Sequence, residues 1–279
     1  MNKPRRLRIA VIGHVEHVTV GLVPAVPGPG DIAHLEEPLC LPGGGGGIAF
    51  FQLATAPAEV HLFTALGNDD AARAVEERLR ATRAQVHAAR RDEPHTRDIV
   101  MVAPDGSRTI VVVGEPLHPR RDDALPWDVL QTCDAVYFTA QDPELLRAAR
   151  AAGLLALTAR RASALAESGV RADVVIGSAD DPREAGTLAD YAVPPAALVM
   201  TRGALGGRIE TADGVSEFAA PPPPHRIVAD YGAGDSFAGA LVWYLASGLS
   251  LAEACTRAGA HGAAVLRGLD PTALQRPLT

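Results

Sequence analysis

Short apolar runs recur along the chain and alternate with stretches of helical pattern. The first run, Ile9–Ile12, is continuous and stops at Gly13, which is typical of a central parallel strand buried on both faces. Further strands are expected at 60–66, 135–138, 154–157, 174–176 and 198–200. Helices are expected after Asp69 or Asp70, which can cap a helix N-terminus, and over 143–152. This alternation predicts an α/β fold, a doubly wound, mostly parallel sheet flanked by helices, with a ligand crevice at the C-terminal ends of its strands.

Two segments interrupt this alternation. Ile99, Met101 and Ala103 alternate with other residues, Asp105-Gly106 supplies a turn, and the alternation resumes at 110–112, which predicts a β-hairpin. The segment 18–41 is rich in proline and glycine and can also hold short strands. We interpret both segments, over approximately 14–41 and 95–118, as a small β-lid over the crevice of a single domain spanning 1–279. The alternative is a pair of ordinary surface hairpins.

The charged residues exclude several chemistries. The chain has 26 basic and 33 acidic residues and a net charge of −7, which argues against a nucleic-acid partner. Lys3, in the basic N-terminal tail, is the only lysine, so the chain offers no P-loop, Schiff-base or protein-kinase lysine.

The three cysteines of the chain share no metal-ligand spacing, and no apolar run is long enough to span a membrane. We therefore expect a cytoplasmic, soluble protein without membrane partners.

The segment Gly232-Ala233-Gly234-Asp235 directly precedes a helical pattern that ends near Gly248. Two glycines at a helix N-terminus allow backbone N–H groups to point at an anion, and the helix dipole adds to the attraction. A carboxylate beside an anion site suggests that Asp235 is a base for a hydroxyl that attacks a γ-phosphate. We expect the helix dipole to keep Asp235 ionised and weakly basic. The alternative is a glycine turn with an aspartate cap.

The segment 232–237, Gly-Ala-Gly-Asp-Ser-Phe followed by two helices, resembles the signature of the ribokinase-like (PfkB) carbohydrate kinases. The resemblance extends over most of the chain and includes, in the family's order, the glycine run 43–47 before a helix, the segment 64–69, Thr96 with the lid segment 105–109, and Thr201-Arg202-Gly203.

The resemblance implies a role for each matched position. Asp235 matches the catalytic base, and Gly232, Ala233 and Gly234 match the anion hole for the transferring phosphoryl group. Thr201 and Gly203 match a turn that contacts ATP phosphates, and Arg202 adds positive charge there. The backbone from Ala258 to Gly262 matches the site of the nucleotide base. Gly43 and Gly44 match the turn that approaches the sugar. The cofactors implied are ATP and Mg²⁺, and the family also suggests a homodimer through the lid.

Several positions depart from the family pattern. Val18 and Ile48 replace an aspartate and an asparagine that usually contact sugar hydroxyls. Substitutes for these contacts are sought among Glu16, His14, His17 and Asp31; a metal site at the two histidines is not favoured because no third ligand has suitable spacing. Asp181 stands where the family has the glutamate that helps place Mg²⁺, so the metal site is expected to be displaced or weaker.

The sequence therefore predicts an ATP-dependent kinase that phosphorylates a hydroxyl of a small sugar or sugar-like molecule. Two alternatives stay open: a nucleoside kinase of the same fold, and a sensor derived from such a kinase that binds ligand without transferring phosphate. The sequence does not name the phosphate acceptor.

Overall fold

The structure is a computed structural model, and it describes residues 5–279. The strands are β1 (Arg8–Ile12), β2 (Glu16–Leu22), β3 (Glu36–Gly43), β4 (Glu59–Leu66), β5 (Gln85–Arg90), β6 (Arg97–Val102), β7 (Arg108–Val113), β8 (Ala135–Phe138), β9 (Leu154–Thr158), β10 (Val174–Ser178), β11 (Ala197–Thr201), β12 (Gly207–Thr211) and β13 (Gly214–Phe218). The α-helices are α1 (Gly44–Leu53), α2 (Asp70–Arg80), α3 (Pro143–Ala149), α4 (Ala162–Ser168), α5 (Ala233–Ala246) and α6 (Leu251–Val265). Within these residues, no helix is long and apolar enough to cross a membrane.

The larger sheet has nine strands in the order β13-β12-β11-β10-β9-β8-β1-β4-β5. The pairs from β11 through to β5 are parallel, and β12 and β13 extend the edge in antiparallel fashion. β1 lies between β4 and β8, so the chain builds outward from β1 in one direction and later returns to its other side. This reversal of strand order is a topological switch point, where ligands of open α/β sheets bind.

Both faces of this sheet are covered, as the continuous apolar strands predict. In β1, Ile9 and Val11 join a core with residues of α1, α2, α5 and α6, whereas Ala10 and Ile12 join a second core with residues of α3 and α4. Successive side chains of a strand point to opposite faces, so one short strand contributes to two helical layers. The predicted fold class, a mostly parallel sheet flanked by helices, is confirmed.

The smaller sheet has four strands in the order β3-β2-β6-β7, and we call it the lid sheet. β6 and β7 form the predicted antiparallel hairpin, and β2 and β3 pair in the proline- and glycine-rich segment. The hairpin buries Asp98, Val100 and Val102, so the alternating residues that drew attention to it, Ile99 and Met101, lie on its other face.

Local capping explains where several helices begin. Asp69 caps α2 by accepting the N–H of Ala72 at 3.0 Å, and the predicted inward residues Ala71, Val75 and Leu79 are buried. Ser250 and Glu253 form the capping box of α6. Two expectations are wrong in detail. The helix after Pro143 ends at Ala149, before the expected Ala152, and the glycine run begins α1 instead of preceding it.

Candidate active site

The C-terminal ends of β1 and β8 meet at the switch point. His14 follows β1, and Thr139 follows β8 and donates its N–H to the Ile12 carbonyl at 2.8 Å. A Cβ atom on Gly13 would overlap the Thr139 hydroxyl, so only glycine allows the two strand ends to approach so closely. The crevice expected from the strand order therefore lies beside the start of the lid sheet.

The N-terminus of α5 has the geometry of an anion site. Gly232 adopts φ of +80° at the N-cap, and no side chain caps the helix. The amides of the first helical turn have no carbonyl partner inside a helix, and they carry the positive end of its dipole. Gly234 is exposed, and a Cβ atom there would meet nothing within 4 Å, so open space lies beside Gly234; the Ala233 N–H makes a long contact of 3.4 Å with the Asp230 carbonyl.

Asp235 lies in this first turn and points toward the start of α1. A Cβ atom on Gly45 would lie 3.1 Å from Oδ1 of Asp235. Burial raises the pKa of Asp235 to about 6, the negative charge of Glu184 adds to the rise, and Arg108 and Arg160 oppose it. The expectation that the helix dipole would leave Asp235 a weak base is therefore wrong, because loss of solvation outweighs the dipole.

The glycine run brings the start of α1 against the first lid strand. A Cβ atom on Gly44, which adopts φ of +76°, would lie 3.0 Å from Cδ2 of His14 and 3.1 Å from Oε2 of Glu16. A Cβ atom on Gly43 would clash with the Tyr231 hydroxyl. The glycines therefore let four site elements approach one another closely: the end of β1, the start of β2, the start of α1 and the loop before α5.

A buried polar cluster lies behind these glycines, and it consists of His14, Glu16, Asp98 and His118. The ring centroids of His14 and His118 are 4.9 Å apart, and Nε2 of His14 is 3.6 Å from Oε1 of Glu16. Burial, a hydrogen bond with Asp98 and the charges of Asp98 and Asp235 raise the pKa of Glu16 far above its usual range, so Glu16 holds a proton that it donates to Asp98.

Both histidines of this polar cluster are neutral. Burial lowers the pKa of His14 to about 3 and that of His118 to about 2, and the positive charge of Arg161 contributes to both shifts. A neutral imidazole can both donate and accept a hydrogen bond. The cluster therefore offers a sugar-like molecule mixed donors and acceptors beside the negative charge of Asp98.

Val18 and Ile48, the apolar residues at the departures from the family pattern, are fully buried. They pack with Val20, Leu41 and Tyr231 in the core beneath the lid sheet. Asp98 is the register partner of Val18 on the neighbouring lid strand, and a Cβ atom on Gly43 would meet both Val18 and the Tyr231 hydroxyl.

The predicted phosphate-binding turn follows β11. The hydroxyl of Thr201 donates to the Gly177 carbonyl at 3.2 Å, and Gly203 adopts φ of +52° with open space where a Cβ atom would stand. Arg202 pairs with Glu217 on β13 at 2.8 Å, so its charge is already partly neutralised.

The predicted metal residue, Asp181, lies in an ion-pair network beside this turn. Asp181 pairs with Arg160 and with Arg183, and burial is outweighed by these partners, so the pKa of Asp181 lies below its usual value. Glu184 lies deeper: it accepts the Ser178 N–H at 2.8 Å, and Arg160 Nε is 2.6 Å from it. The charge of Glu184 acts on Asp235, whereas Asp181 is not among the groups that shift the pKa of Asp235.

Three predicted residues lie apart from this group. Ala258 is fully buried in the core, and a Cβ atom on Gly262 would lie 2.9 Å from the Ala233 carbonyl, so both positions serve the packing of α6 against α5. Asp31 lies in an exposed lid loop, where it accepts the Gly28 N–H at 3.0 Å.

Sequence reasoning did not single out Asp98, His118, Arg161, Glu184 or Tyr231. Asp98 could have been identified from the sequence, because it alternates in phase with Val100 and Val102, which lie on the buried face of β6. Arg161 follows closely after β9, at the edge of the sheet where ligands bind. His118 and Tyr231 lie in irregular segments, and only the fold brings them to the cluster.

A family model described as pfkB family carbohydrate kinase matches residues 172–274, the part of the chain that contains Asp235 and the turn after β11. No curated protein matches the chain. The predicted resemblance to the PfkB carbohydrate kinases is confirmed by the family match.

Solved structures of kinases share the fold. Ribokinase from Thermotoga maritima is 19% identical with a TM-score of 0.78, covering 97% of this chain and 96% of that chain. Ribokinase from Arabidopsis thaliana, complexed with ribose and ATP, is 15% identical with a TM-score of 0.74 (97% and 96%). Adenosine kinase from Sinorhizobium meliloti is 17% identical with a TM-score of 0.74 (98% and 96%). The identities are low, so these likenesses show the fold alone. The family match over residues 172–274 indicates a carbohydrate kinase, as the sequence predicts.

Proposed function

We propose, from the confirmed resemblance to the PfkB carbohydrate kinases, that this chain transfers the γ-phosphoryl group of ATP to a hydroxyl of a small sugar or sugar-like molecule. The observation that carries the proposal is the position of Asp235: a partly buried carboxylate with a pKa of about 6 lies in the first turn of a helix that has open space beside Gly234. A base and an anion site are thus adjacent, as phosphoryl transfer to an alcohol requires.

In the proposed reaction, the hydroxyl oxygen of the acceptor attacks the γ-phosphorus while Asp235 takes the hydroxyl proton. The bond between the γ-phosphorus and the oxygen that links it to the β-phosphorus breaks, and ADP leaves. The amides of Gly232, Ala233 and Gly234 stabilise the negative charge on the transferring group, since they lie at the positive end of α5. A pKa of about 6 leaves Asp235 ionised at neutral pH yet more basic than an exposed aspartate.

We propose that the nucleotide lies along the turn after β11. Thr201 and Gly203 border open space there, in agreement with contacts to phosphates, and Arg202 adds a partly neutralised charge. Ala258 and Gly262 would support the nucleotide base only indirectly, by fixing α6 against α5. The exposed Asp31 is not used in this proposal.

The carboxylates near this turn fit a Mg²⁺ ion held through water. Carboxylate oxygens are the ligands that Mg²⁺ prefers, and bound Mg²⁺ would offset the charge of the phosphates. Glu184 fits this role better than Asp181, because the charge of Glu184 acts on Asp235 and Glu184 pairs with one arginine, Arg160, whereas Asp181 pairs with two.

The acceptor would lie between Asp235 and the buried polar cluster, with Gly43 and Gly44 beside it and His14 and Glu16 as hydrogen-bonding partners. A nucleoside is the second candidate, because its ring would suit the apolar surroundings of Val18 and Ile48. Thermal shifts with sugars and nucleosides, each with an ATP analogue, separate the two.

The substitution Asp235→Asn tests the catalytic proposal. Loss of the base should lower kcat by roughly 10²- to 10⁴-fold while ATP binding changes little. The measurement is ADP release across a panel of acceptors, with calorimetric binding of an ATP analogue. Asp213→Asn, in the exposed turn between β12 and β13, is the matched control. Unchanged turnover would refute the role of Asp235, and wild-type binding of acceptors without any ADP release would favour the sensor.

We also propose that two copies associate through the lid sheet. β7 is one of the two edge strands of that sheet, opposite β3, and its six residues are all exposed, including Ile110, Val111, Val112 and Val113. An exposed apolar edge strand is rarely left uncovered in a protein that stays monomeric.

A further inference from the structure

Arg161 is a partly buried cation at the candidate site. It follows β9, and its Nε donates to the Thr139 carbonyl at 2.7 Å, which anchors the side chain beside the switch point. Within residues 5–279, neither terminal nitrogen of Arg161 takes part in a hydrogen bond or an ion pair. The guanidinium is only partly removed from water, and its terminal N–H groups are free to donate to a ligand that enters the site.

The other arginines around the site differ from Arg161 in this respect, since each has a carboxylate partner. Arg160 pairs with Asp181 and Glu184, Arg108 with Asp230, and Arg202 with Glu217. Arg161 therefore contributes a positive charge to the site that the described part of the chain does not neutralise.

The positive charge of Arg161 affects the titratable groups of the buried polar cluster. Its charge lowers the pKa of His14 and of His118 and opposes the rise for Glu16, whereas the arginines that act on Asp235 are Arg108 and Arg160. The anchoring carbonyl belongs to Thr139, which lies against Gly13. A Cβ atom on Gly45 would lie 3.1 Å from Oδ1 of Asp235 and 3.9 Å from Cε1 of His14, so Asp235 and the His14 side of the polar cluster border the same space.

The same part of the site holds several buried polar atoms that lack a partner in the described chain. They are Nδ1 of His14, both ring nitrogens of His118 and the hydroxyl of Thr139. Buried polar groups in folded proteins almost always have hydrogen-bond partners. This group of unpaired atoms, beside an unpaired guanidinium, has the composition of a binding site for a polar, negatively charged group.

We propose that the acceptor carries a carboxylate or phosphate group in addition to the reacting hydroxyl, and that Arg161 binds this group. The inference rests on the proposed kinase function and names its substrate class. The planar guanidinium can donate two parallel hydrogen bonds to either anion.

Among the surrounding acids, Asp98 carries a negative charge, because it accepts the hydrogen bond that Glu16 donates, and the positive charge of Arg161 offsets it. Glu16 holds a proton, so the acidic residue nearest to His14 presents no negative charge to the incoming anion. Neutral His14 and His118 can donate their ring N–H groups to the same anion. Asp235 is ionised at neutral pH, and in the proposed reaction it is occupied by the hydroxyl that loses its proton.

The test compares neutral and anionic acceptors. The probes are glucose with gluconate and glucuronate, fructose with fructose 6-phosphate, and ribose with ribose 5-phosphate; the carboxylates and the phosphates form separate arms. Binding is measured by calorimetry with a non-hydrolysable ATP analogue, and turnover by ADP release. The variants are Arg161→Gln, Arg161→Lys and, as matched control, Arg171→Gln, an exposed arginine whose Nε also donates to a backbone carbonyl, that of Pro194.

We expect one anionic probe or more to bind roughly 10- to 100-fold more tightly than its neutral counterpart. Arg161→Gln should remove this preference without raising the KM for ATP, Arg161→Lys should keep part of it, and Arg171→Gln should keep all of it. The inference is wrong if no anionic probe is preferred, if Arg161→Gln keeps the preference, or if that variant weakens ATP instead.

Failure of the kinase proposal gives a different result. Anion binding that depends on Arg161, without ADP release from any probe, would uphold the anion site and contradict the kinase. ADP release that depends on Asp235 but occurs with neutral acceptors alone would uphold the kinase and contradict the anion site.

Discussion

At the scale of single residues, the pKa of Asp235 determines the pH range of the proposed activity. A base works only when ionised, and burial together with Glu184 raises the pKa of Asp235 to about 6. We expect kcat/KM to be constant above that pH and to fall about tenfold per pH unit below it. The measurement is a profile of kcat/KM against pH over roughly pH 4.5–8, a range that includes the pKa of Asp235.

The variant Glu184→Gln tests the physical cause of this shift. Without the negative charge of Glu184, the pKa of Asp235 should decrease, and the acidic limb of the profile should move to lower pH. The movement should be partial, because burial is the larger cause. Glu167→Gln, on an exposed turn of α4, should leave the limb in place. A limb that does not move in Glu184→Gln would show that another group controls it.

Gly234 allows a test of the anion site that does not depend on damage to the fold. Its Cβ position is open and its φ is not positive, so Gly234→Ala should keep or raise the free energy of unfolding, by up to about 1 kcal/mol. The methyl group would occupy the open space beside Gly234, and we expect kcat to fall by roughly tenfold or more. Thermal unfolding and ADP release measure the two effects. Full activity in this variant would place the phosphoryl group elsewhere.

At the scale of elements, the strands that are buried on both faces could be predicted well. The runs beginning at Ile9 and Ala135 form β1 and β8 almost as expected, because continuous apolar residues have few other stable positions. β5, β12 and β13 were missed. β12 and β13 lie toward one edge of the sheet and β5 forms its other edge, so their residues are polar or exposed and lack the apolar pattern.

Only the parts of the candidate site that lie within a recognisable sequence motif could be predicted. The first turn of α5 follows from glycine spacing, and Glu16 and His14 follow from their position after β1. Asp98 and Arg161 come from distant strands, and their proximity depends on the pairing of β2 with β6 and of β8 with β9. The elevated pKa of Asp235 depends on solvent exclusion by all these elements together, which no local sequence pattern encodes.

The hairpin of the lid sheet contacts the loop before α5, and this contact gives an element-scale prediction. The Gly106 carbonyl accepts the Asp230 N–H at 2.9 Å, and Arg108 pairs with Asp230 at 2.7 Å. Both side chains of the ion pair are about 40% exposed, so the pair should contribute no more than about 1 kcal/mol. We expect Arg108→Gln to raise the acceptor KM by up to about fivefold, through weaker docking of the lid.

A double-mutant cycle isolates this ion pair. Arg108→Gln, Asp230→Asn and the double variant should all raise the acceptor KM by similar factors, because each removes the same interaction. Effects that multiply in the double variant would mean that the two residues act independently. Arg121→Gln, an exposed arginine outside the hairpin, is the control.

At the scale of the whole molecule, the two sheets contribute different parts of the site. The large sheet and its helices supply Asp235 and the amides of α5, whereas the lid sheet supplies Glu16 and Asp98. Acceptor binding therefore depends on how firmly the lid sheet is held. One of its two edge strands, β7, exposes 46% of Val111 and 49% of Val113, so an isolated chain would leave this sheet poorly supported on one side.

The proposed dimer would support that edge, and a pair of charged substitutions tests it. Val111→Glu with Val113→Glu places two like charges on one face of β7, and we expect light scattering to show a monomer where the wild-type chain is a dimer. The acceptor KM should rise in the monomer while the KM for ATP changes little, because only the lid loses support. Val215→Glu is the matched control, since Val215 is 62% exposed on β13, the edge strand of the large sheet. A monomeric wild-type chain, or a dimer that survives the double substitution, would contradict association through β7.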